Sequence, residues 1–105
     1  FDTVLRGRGG HAAQPHHTPD AILPASQLVA QLHTIVSRRI DPGESAVLSV
    51  TRIEGGHSHN VLPAQVSITG TVRSLDAASQ DRIGAALRGT GDGVVLARGT
   101  QGEVG

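Results

Sequence analysis

An alternation of apolar and polar residues between positions 65 and 74 constrains the fold of this chain more than any other sequence feature. Positions 66, 68, 70 and 72 are aliphatic or glycine, and the residue after each of them is serine, threonine or arginine. Because successive side chains of a strand point to opposite faces of a sheet, this segment predicts a strand with one buried face and one open face. Weaker strand patterns occur at residues 1–6, 45–54 and 101–104.

Two helical segments are interleaved with these strands. The first, at residues 24–39, carries an apolar stripe at three- and four-residue spacing, and Thr18 or Asp20 can cap its start. Pro24 fits only in the first turn, because an interior proline loses a backbone hydrogen bond. Asp76 can cap the second helix, which runs to about residue 88. Glycines at 84, 89, 91 and 93, each costing about 0.5–1 kcal/mol in a helix, leave its extension to residue 97 open.

The predicted order βαββαβ defines an α+β fold class. Its usual solution is a ferredoxin-like, four-stranded antiparallel sheet with both helices on one face. In that topology the strands at 45–54 and 101–104 lie at the sheet edges. The first of these is fairly apolar, with Val47 and Ile53 expected on its outer face, and such an exposed edge invites pairing with another chain. We therefore predict a homodimer formed through the edge strand 45–54 and the helix 24–39.

Composition restricts the classes of function. A chain of 105 residues fits a single domain, and its core must be aliphatic because Phe1 is its one aromatic residue. Nine basic residues balance nine acidic ones, so charge gives no reason to expect nucleic acid or an anionic membrane as a partner. No apolar run approaches the ~20 residues of a membrane span. With no cysteine and no secretion signal, we expect a cytoplasmic protein. Because the chain opens inside a predicted strand, we also expect it to be a domain excised from a longer enzyme.

The six histidines bear on metal binding. They lie at positions 11, 16 and 17 of one loop, at 57 and 59 of another, and at 33 on the first helix. A zinc site needs three or four converging ligands, and these spacings match no common zinc motif. The spacing therefore favours solvated loop histidines. The alternative is a free-standing ferredoxin-like module that binds a metal or small ligand through the histidine loops. An RNA-binding module is disfavoured because the polar sheet face has no aromatic residues for base stacking.

Two polar residues have both structural and functional interpretations. Arg73 lies on the polar face of the 65–74 strand, where it is a solvated residue or a clamp that binds a carboxylate through two parallel hydrogen bonds. Asn60 precedes the segment Val61-Leu62-Pro63, where it forms a turn or orients a substrate through its amide. Position alone favours the structural interpretation of both residues.

Four motifs occur in order along the chain and change this balance: GGHAAQPH at 9–16, GG at 55–56, NVLPA at 60–64 and GTVR at 70–73. Together they resemble the dimerisation, or lid, domain of the metal-dependent amidohydrolases that include aminoacylase, hippurate hydrolase, indoleacetyl-amino-acid hydrolase and carboxypeptidase G. The first motif and SRRIDP at 37–42 are most similar to the hippurate hydrolase branch. The resemblance covers essentially the whole chain.

The resemblance implies specific roles. In this family a catalytic domain holds two divalent metal ions, such as zinc or manganese, and the lid domains pair into a dimer that completes the active site. His11 corresponds to a histidine that reaches the partner's active site and stabilises an oxyanion, while Asn60 and Arg73 correspond to substrate-binding residues. Gly55 and Gly56 are expected to allow close backbone approach to the substrate. His16 is expected only to structure its loop. The chain lacks the catalytic domain's metal-binding motifs, so it should not hydrolyse an N-acyl amino acid or small peptide alone.

Overall fold

The computed structural model describes residues 1–7, 10–11, 20–98 and 101–104. The fold is α+β, with two helices and an antiparallel sheet, as the order of sequence patterns predicts. Its helices are α1 (Ile22–Arg39) and α2 (Ala77–Arg98). Its strands are β1 (Asp2–Arg6), β2 (Gly10–His11), β3 (Ala46–Glu54), β4 (Val61–Leu62), β5 (Gln65–Ser74) and β6 (Gln101–Val104).

The main sheet has the strand order β3-β5-β1-β6, and its neighbouring strands are antiparallel. Strand β5 covers the residues predicted from the alternation, and Val66 and Ile68 are buried on one face. Their partners on β1, Leu5 and Thr3, are buried as well. The opposite face carries the serines and threonines of β5. The prediction of a sheet with one covered and one polar face is confirmed.

Both helices pack against the covered face and against each other. The core is one aliphatic cluster to which the sheet and both helices contribute. Its central side chains are Leu5, Leu28, Leu32, Ile35, Val66, Ile68, Ile83 and Leu87. Burial of such side chains typically stabilises a fold by about 1.5–3 kcal/mol each. Within the described residues, neither helix has the length and apolar character needed to cross a bilayer.

Helix α1 begins at Ile22, two residues before the predicted start, and this places Pro24 in the first turn. The first amides of a helix have no partner within it, so a proline there loses nothing. The carboxylate of Asp20 accepts hydrogen bonds from the backbone N–H groups of Ile22 and Leu23 at 2.8 and 3.1 Å. Asp20 therefore caps the helix, as predicted. The alternative cap, Thr18, lies outside the described residues.

The structure shows how far helix α2 extends past its glycines. It continues through all four glycines to Arg98, ten residues beyond the predicted end. Residues 83, 87, 90 and 94 are buried at helical spacing, with Thr90 filling the position between Leu87 and Val94. At the start of the helix, Asp76 accepts a 2.7 Å hydrogen bond from the backbone N–H of Ser79, so the predicted cap is present. Tertiary burial therefore outweighs the poor helix propensity of glycine here.

Strand β3 corrects one prediction. Val50 lies opposite Gly70 and Arg52 lies opposite Thr69, so Thr51 is an extra residue that forms a β-bulge. The bulge reverses the facing of the residues that follow it. Val47, opposite Arg73, lies on the open face as predicted, but Ile53 lies opposite the buried Ile68 and so faces the helix layer. The prediction that Val47 and Ile53 share one face is wrong.

Candidate functional site

A second, two-stranded sheet occurs where the sequence predicts only loops. Gly10 and His11 of β2 pair with Leu62 and Val61 of β4. The backbone N–H of Gly7 donates a 2.8 Å hydrogen bond to the carbonyl of Ala64, which links this pair to the end of the β1–β5 ladder. The ribbon formed by β2 and β4 is therefore an extension of β1 and β5 beyond the main sheet. Two-residue strands are too short for an alternation pattern, so the sequence could not indicate them.

The ribbon brings two predicted site residues together along the backbone. His11 lies opposite Val61, and Asn60 directly precedes Val61. The side chain of Asn60 is exposed, and its Oδ1 accepts a 2.6 Å hydrogen bond from the hydroxyl of Ser58. Among the described residues, no side chain or backbone group accepts a hydrogen bond from its amide nitrogen. Asn60 is therefore oriented by a neighbour and retains N–H donors for an external acceptor.

The backbone conformation at position 56 and the packing at position 55 require glycine. Gly56 has a positive φ of 84°, which side-chain-bearing residues rarely adopt. A Cβ at Gly55 would lie 2.6 Å from Cγ2 of Val66, closer than atoms can approach. Both glycines are required for the chain to leave β3 and turn into the loop that carries Asn60. Their predicted contact with substrate stays a prediction.

Arg73 lies far from His11 and Asn60 in the same chain. It is exposed near the end of β5, on the open face of the sheet, whereas Asn60 lies before the start of that strand. The eight residue-to-residue steps from Gln65 to Arg73 span roughly 27 Å at the rise of a strand, well beyond the reach of an arginine side chain. Within the described part of the chain Arg73 forms no ion pair, so its guanidinium can accept a carboxylate partner.

The remaining histidines that the structure describes do not assemble into a metal site. His57 and His59 are exposed in the loop after β3, and His33 is exposed on α1. In the described ranges, no three His, Asp or Glu side chains are placed to hold a metal ion, and the chain has no cysteine. His16, His17 and the other residues from 12 to 19 lie outside those ranges. The described residues therefore give no support to the metal-binding module considered from the sequence.

Exposed aliphatic side chains gather where β3 meets the start of α1. Ile53 and Ile22 expose 52% and 42% of their surface, and both line a cavity of about 220 Å³. The other lining residues of this cavity are Ala25, Gly55 and Val66. Val47 is 56% exposed on the open face of the same strand. Apolar side chains beside an uncovered sheet edge are typical of an interaction surface.

The fold and surface define an antiparallel α+β domain with an uncovered edge strand and with its candidate site residues divided between two ends. Comparison with protein families identifies the family to which this domain belongs. The peptidase dimerisation domain matches residues 2–90, and the chain belongs to this family.

The relatives are amide-hydrolysing enzymes by name. The chain is 48% identical over 79 residues to an N-acetyldiaminopimelate deacetylase of Priestia megaterium, a match covering 75% of the chain and 21% of that protein. It is 53% identical over 76 residues to an N-acyl-L-amino acid amidohydrolase of Geobacillus stearothermophilus, a match covering 72% of the chain and 20% of that protein. A candidate aminohydrolase from methicillin-resistant Staphylococcus aureus superposes with a TM-score of 0.93 at 32% identity, over 97% of this chain and 27% of that one. The chain thus spans about a fifth to a quarter of the length of these proteins.

Proposed function

We propose that this chain is the dimerisation and lid domain of a metal-dependent N-acyl-amino-acid amidohydrolase. Membership of the peptidase dimerisation family carries this proposal, together with relatives named as amidohydrolases and deacetylases of which the chain spans only a part. The rest of such an enzyme would be a catalytic domain that holds the pair of divalent metal ions. Among the described residues, no three His, Asp or Glu side chains are placed to hold a metal ion. The role proposed for this chain is to position groups around the substrate. A cytoplasmic location stays a prediction.

The arrangement of the main sheet is proposed to be the ferredoxin-like one. The strand order β3-β5-β1-β6 and the two helices on the covered face support this assignment. It leaves β3 at an edge, and α1 packs next to β3. The proposed homodimer forms through this edge strand and this helix. The exposed Ile22, Ile53 and Val47 supply apolar area that a second copy would cover.

Three residues are proposed to act on the substrate. His11 donates a hydrogen bond to the oxyanion that develops when a water attacks the amide, a contact of a type worth about 3–4 kcal/mol in the transition state. Arg73 binds the substrate carboxylate through its guanidinium, and Asn60 donates an N–H from its amide. The resemblance to the amidohydrolase family supports these roles. The exposure of Asn60 and Arg73 is compatible with them.

The distance between these residues supports a site that is shared between two copies. Arg73 lies near one end of the domain, and His11 and Asn60 lie on the ribbon beyond the other end. The domain is elongated, at 48 × 23 × 19 Å, so its ends are well separated. A two-fold axis at the β3 edge reverses the strand direction in the partner. The partner's ribbon then extends toward the end of the sheet that carries Arg73 of the first copy.

Intersubunit complementation in the complete enzyme tests this proposal. The H11A and R73A variants should each lose most activity, by about 100-fold or more for H11A if one oxyanion donor is removed. Mixing the two variants under conditions of subunit exchange forms dimers in which one site has both intact residues and the other site has neither. With random exchange in a symmetric dimer, activity should recover to about a quarter of wild type.

The control is a mixture of H11A with N60A, since His11 and Asn60 lie on the same ribbon. Every site in that mixture lacks one of the two residues, so activity should not recover. Activity of the H11A and R73A mixture that stays at the level of the single variants would show that both residues serve one site from the same chain, and the proposal would be wrong.

A further inference from the structure

We infer that the amino-acid part of the substrate carries an apolar side chain, which Leu75 and Val47 contact beside Arg73. The inference rests on the proposed function, in which Arg73 binds the substrate carboxylate. It adds a class of amino acid and two contacts that determine specificity, which the family assignment does not contain.

Leu75 is exposed without a structural reason of its own. Of the large apolar side chains whose exposure the structure describes, it is the most exposed, at 85%. It lies one residue beyond β5 and directly before Asp76, the cap of α2. An apolar residue in that position commonly packs against the fourth residue of the helix. In α2 this residue is Gln80, which is polar and exposed, so Leu75 remains available to an apolar group from outside the domain.

Two exposed aliphatic side chains lie next to Arg73. Leu75 follows it by two residues, so their Cα atoms are at most about 7 Å apart. Val47 of β3 is the cross-strand partner of Arg73 and lies on the same open face. The Cβ atoms of such a pair are about 4.5–5.5 Å apart. A second copy paired at the edge of β3 would border Val47 on its far side and leave its flank toward Arg73 open.

The carboxylates that hydrogen bonds place at this end of the sheet are already engaged. Asp76 accepts a 2.7 Å hydrogen bond from the backbone N–H of Ser79. Glu44 accepts hydrogen bonds from the guanidinium of Arg82 and from the hydroxyl of Ser79. Both carboxylates are therefore held by groups of α2, which favours neither an ion pair with Arg73 nor one with a basic group of a ligand.

These surroundings select among amino acids. In an α-amino acid the side chain is attached to the carbon next to the carboxylate. A carboxylate bound by Arg73 therefore brings that side chain within reach of Leu75 and Val47, where an aliphatic group removes apolar surface from water. An ammonium group at the same place would lose water and meet no carboxylate partner. The site is thus expected to prefer leucine-like over lysine-like side chains.

Two pairs of substrates test this specificity in the complete enzyme, in the N-acetyl or the N-benzoyl series, whichever is cleaved faster. The leucine and alanine substrates differ in aliphatic area, and the norleucine and lysine substrates differ mainly in the terminal ammonium group. The first member of each pair should have a kcat/KM at least about tenfold higher than the second. The L75A variant should reduce both ratios by about threefold or more, because it removes most of one apolar contact.

Leu23 supplies the matched control. It is an exposed leucine in the first turn of α1, next to Ile22, which lines the cavity at the opposite end of β5. The L23A variant should leave both ratios unchanged.

The inference would be overturned if L75A left both ratios unchanged, or if it lowered kcat/KM by the same factor for all four substrates. The second result would show that Leu75 packs against another part of the enzyme. A wild-type enzyme that cleaves the lysine substrate as well as the norleucine one would overturn it too. In each of these cases, a loss of activity in R73A would leave the proposed function standing. Full activity of R73A, or no cleavage in either acyl series, would contradict the proposed function itself.

Discussion

At the residue scale, two aspartates fix where the helices begin. The Asp20 carboxylate binds the first amides of α1, and Asp76 binds the amide of Ser79 in α2. The hydrogen bond from the Ser79 backbone, followed by one from the Ser79 hydroxyl, lowers the pKa of Asp76 below its ordinary value. Both caps were predictable, because aspartate before an apolar helical stripe is a local signal. The roles proposed for His11, Asn60 and Arg73 have no such local signal, since they would depend on a substrate and a second copy.

The lowered pKa of Asp76 predicts a pH-dependent contribution to folding. A carboxyl whose pKa is lower in the folded state stabilises the fold above its unfolded pKa of about 3.9, and this contribution is lost as the pH falls through the folded value. D76A should therefore be less stable than wild type at pH 7, and the difference should narrow below about pH 4. D76N, which retains an acceptor for the Ser79 amide, is the control and should lose less. Urea unfolding from pH 3 to 7 measures the free energy of unfolding of each variant. If D76A lost as much of this free energy at pH 3 as at pH 7, the predicted pH dependence would be contradicted.

At the element scale, periodicity in the sequence predicted the bounds of the strands. The prediction missed the β-bulge, which depends on the single unpaired residue Thr51. The bounds of β5 and β6 match the predicted ones, and those of β1 and β3 differ by one residue. The bulge did leave a sequence signal, because apolar residues fall at 46, 48 and 50, Thr51 and Arg52 are both polar, and the next apolar residue is Ile53. The length of α2 was left open because propensity disfavours its glycines, and burial of Leu87, Thr90 and Val94 decides the matter.

The glycines of α2 predict a route to a more stable domain. Gly89 and Gly93 are exposed helical residues, and a Cβ at either would meet no atom within 4 Å. The G89A/G93A variant should gain about 0.5–1 kcal/mol per site, because alanine loses less backbone entropy in a helix. Thermal unfolding should show a rise of several degrees. G70A is the contrasting variant, since a Cβ there would lie 2.4 Å from Phe1 and from the carbonyl oxygen of Ser49. A fall in stability for G89A/G93A would show that these glycines serve another purpose.

At the scale of the whole molecule, the domain is extended rather than spherical. Its radius of gyration is 14.9 Å, compared with about 13 Å expected for a compact chain of this length. The ribbon of β2 and β4 prolongs the β1–β5 ladder at one end, and Arg73 lies toward the other. The identities of these candidate residues could be predicted from their motifs. Their separation could not, because it results from the length of β5 and from a ribbon that has no periodic sequence pattern.

Self-association through β3 underlies the proposed shared site, and sedimentation equilibrium of the wild-type and I53K forms of the 105-residue chain measures it directly. The wild-type chain should be dimeric at micromolar concentration. I53K places a charge among the exposed apolar side chains of the β3 edge. It should weaken the dimer by at least about tenfold, since an unpaired charge in a dimer contact is costly. T71K, on the same sheet but away from the edge, should leave the dimer intact. A wild-type chain that stays monomeric at high concentration, or an I53K dimer as tight as wild type, would contradict the account.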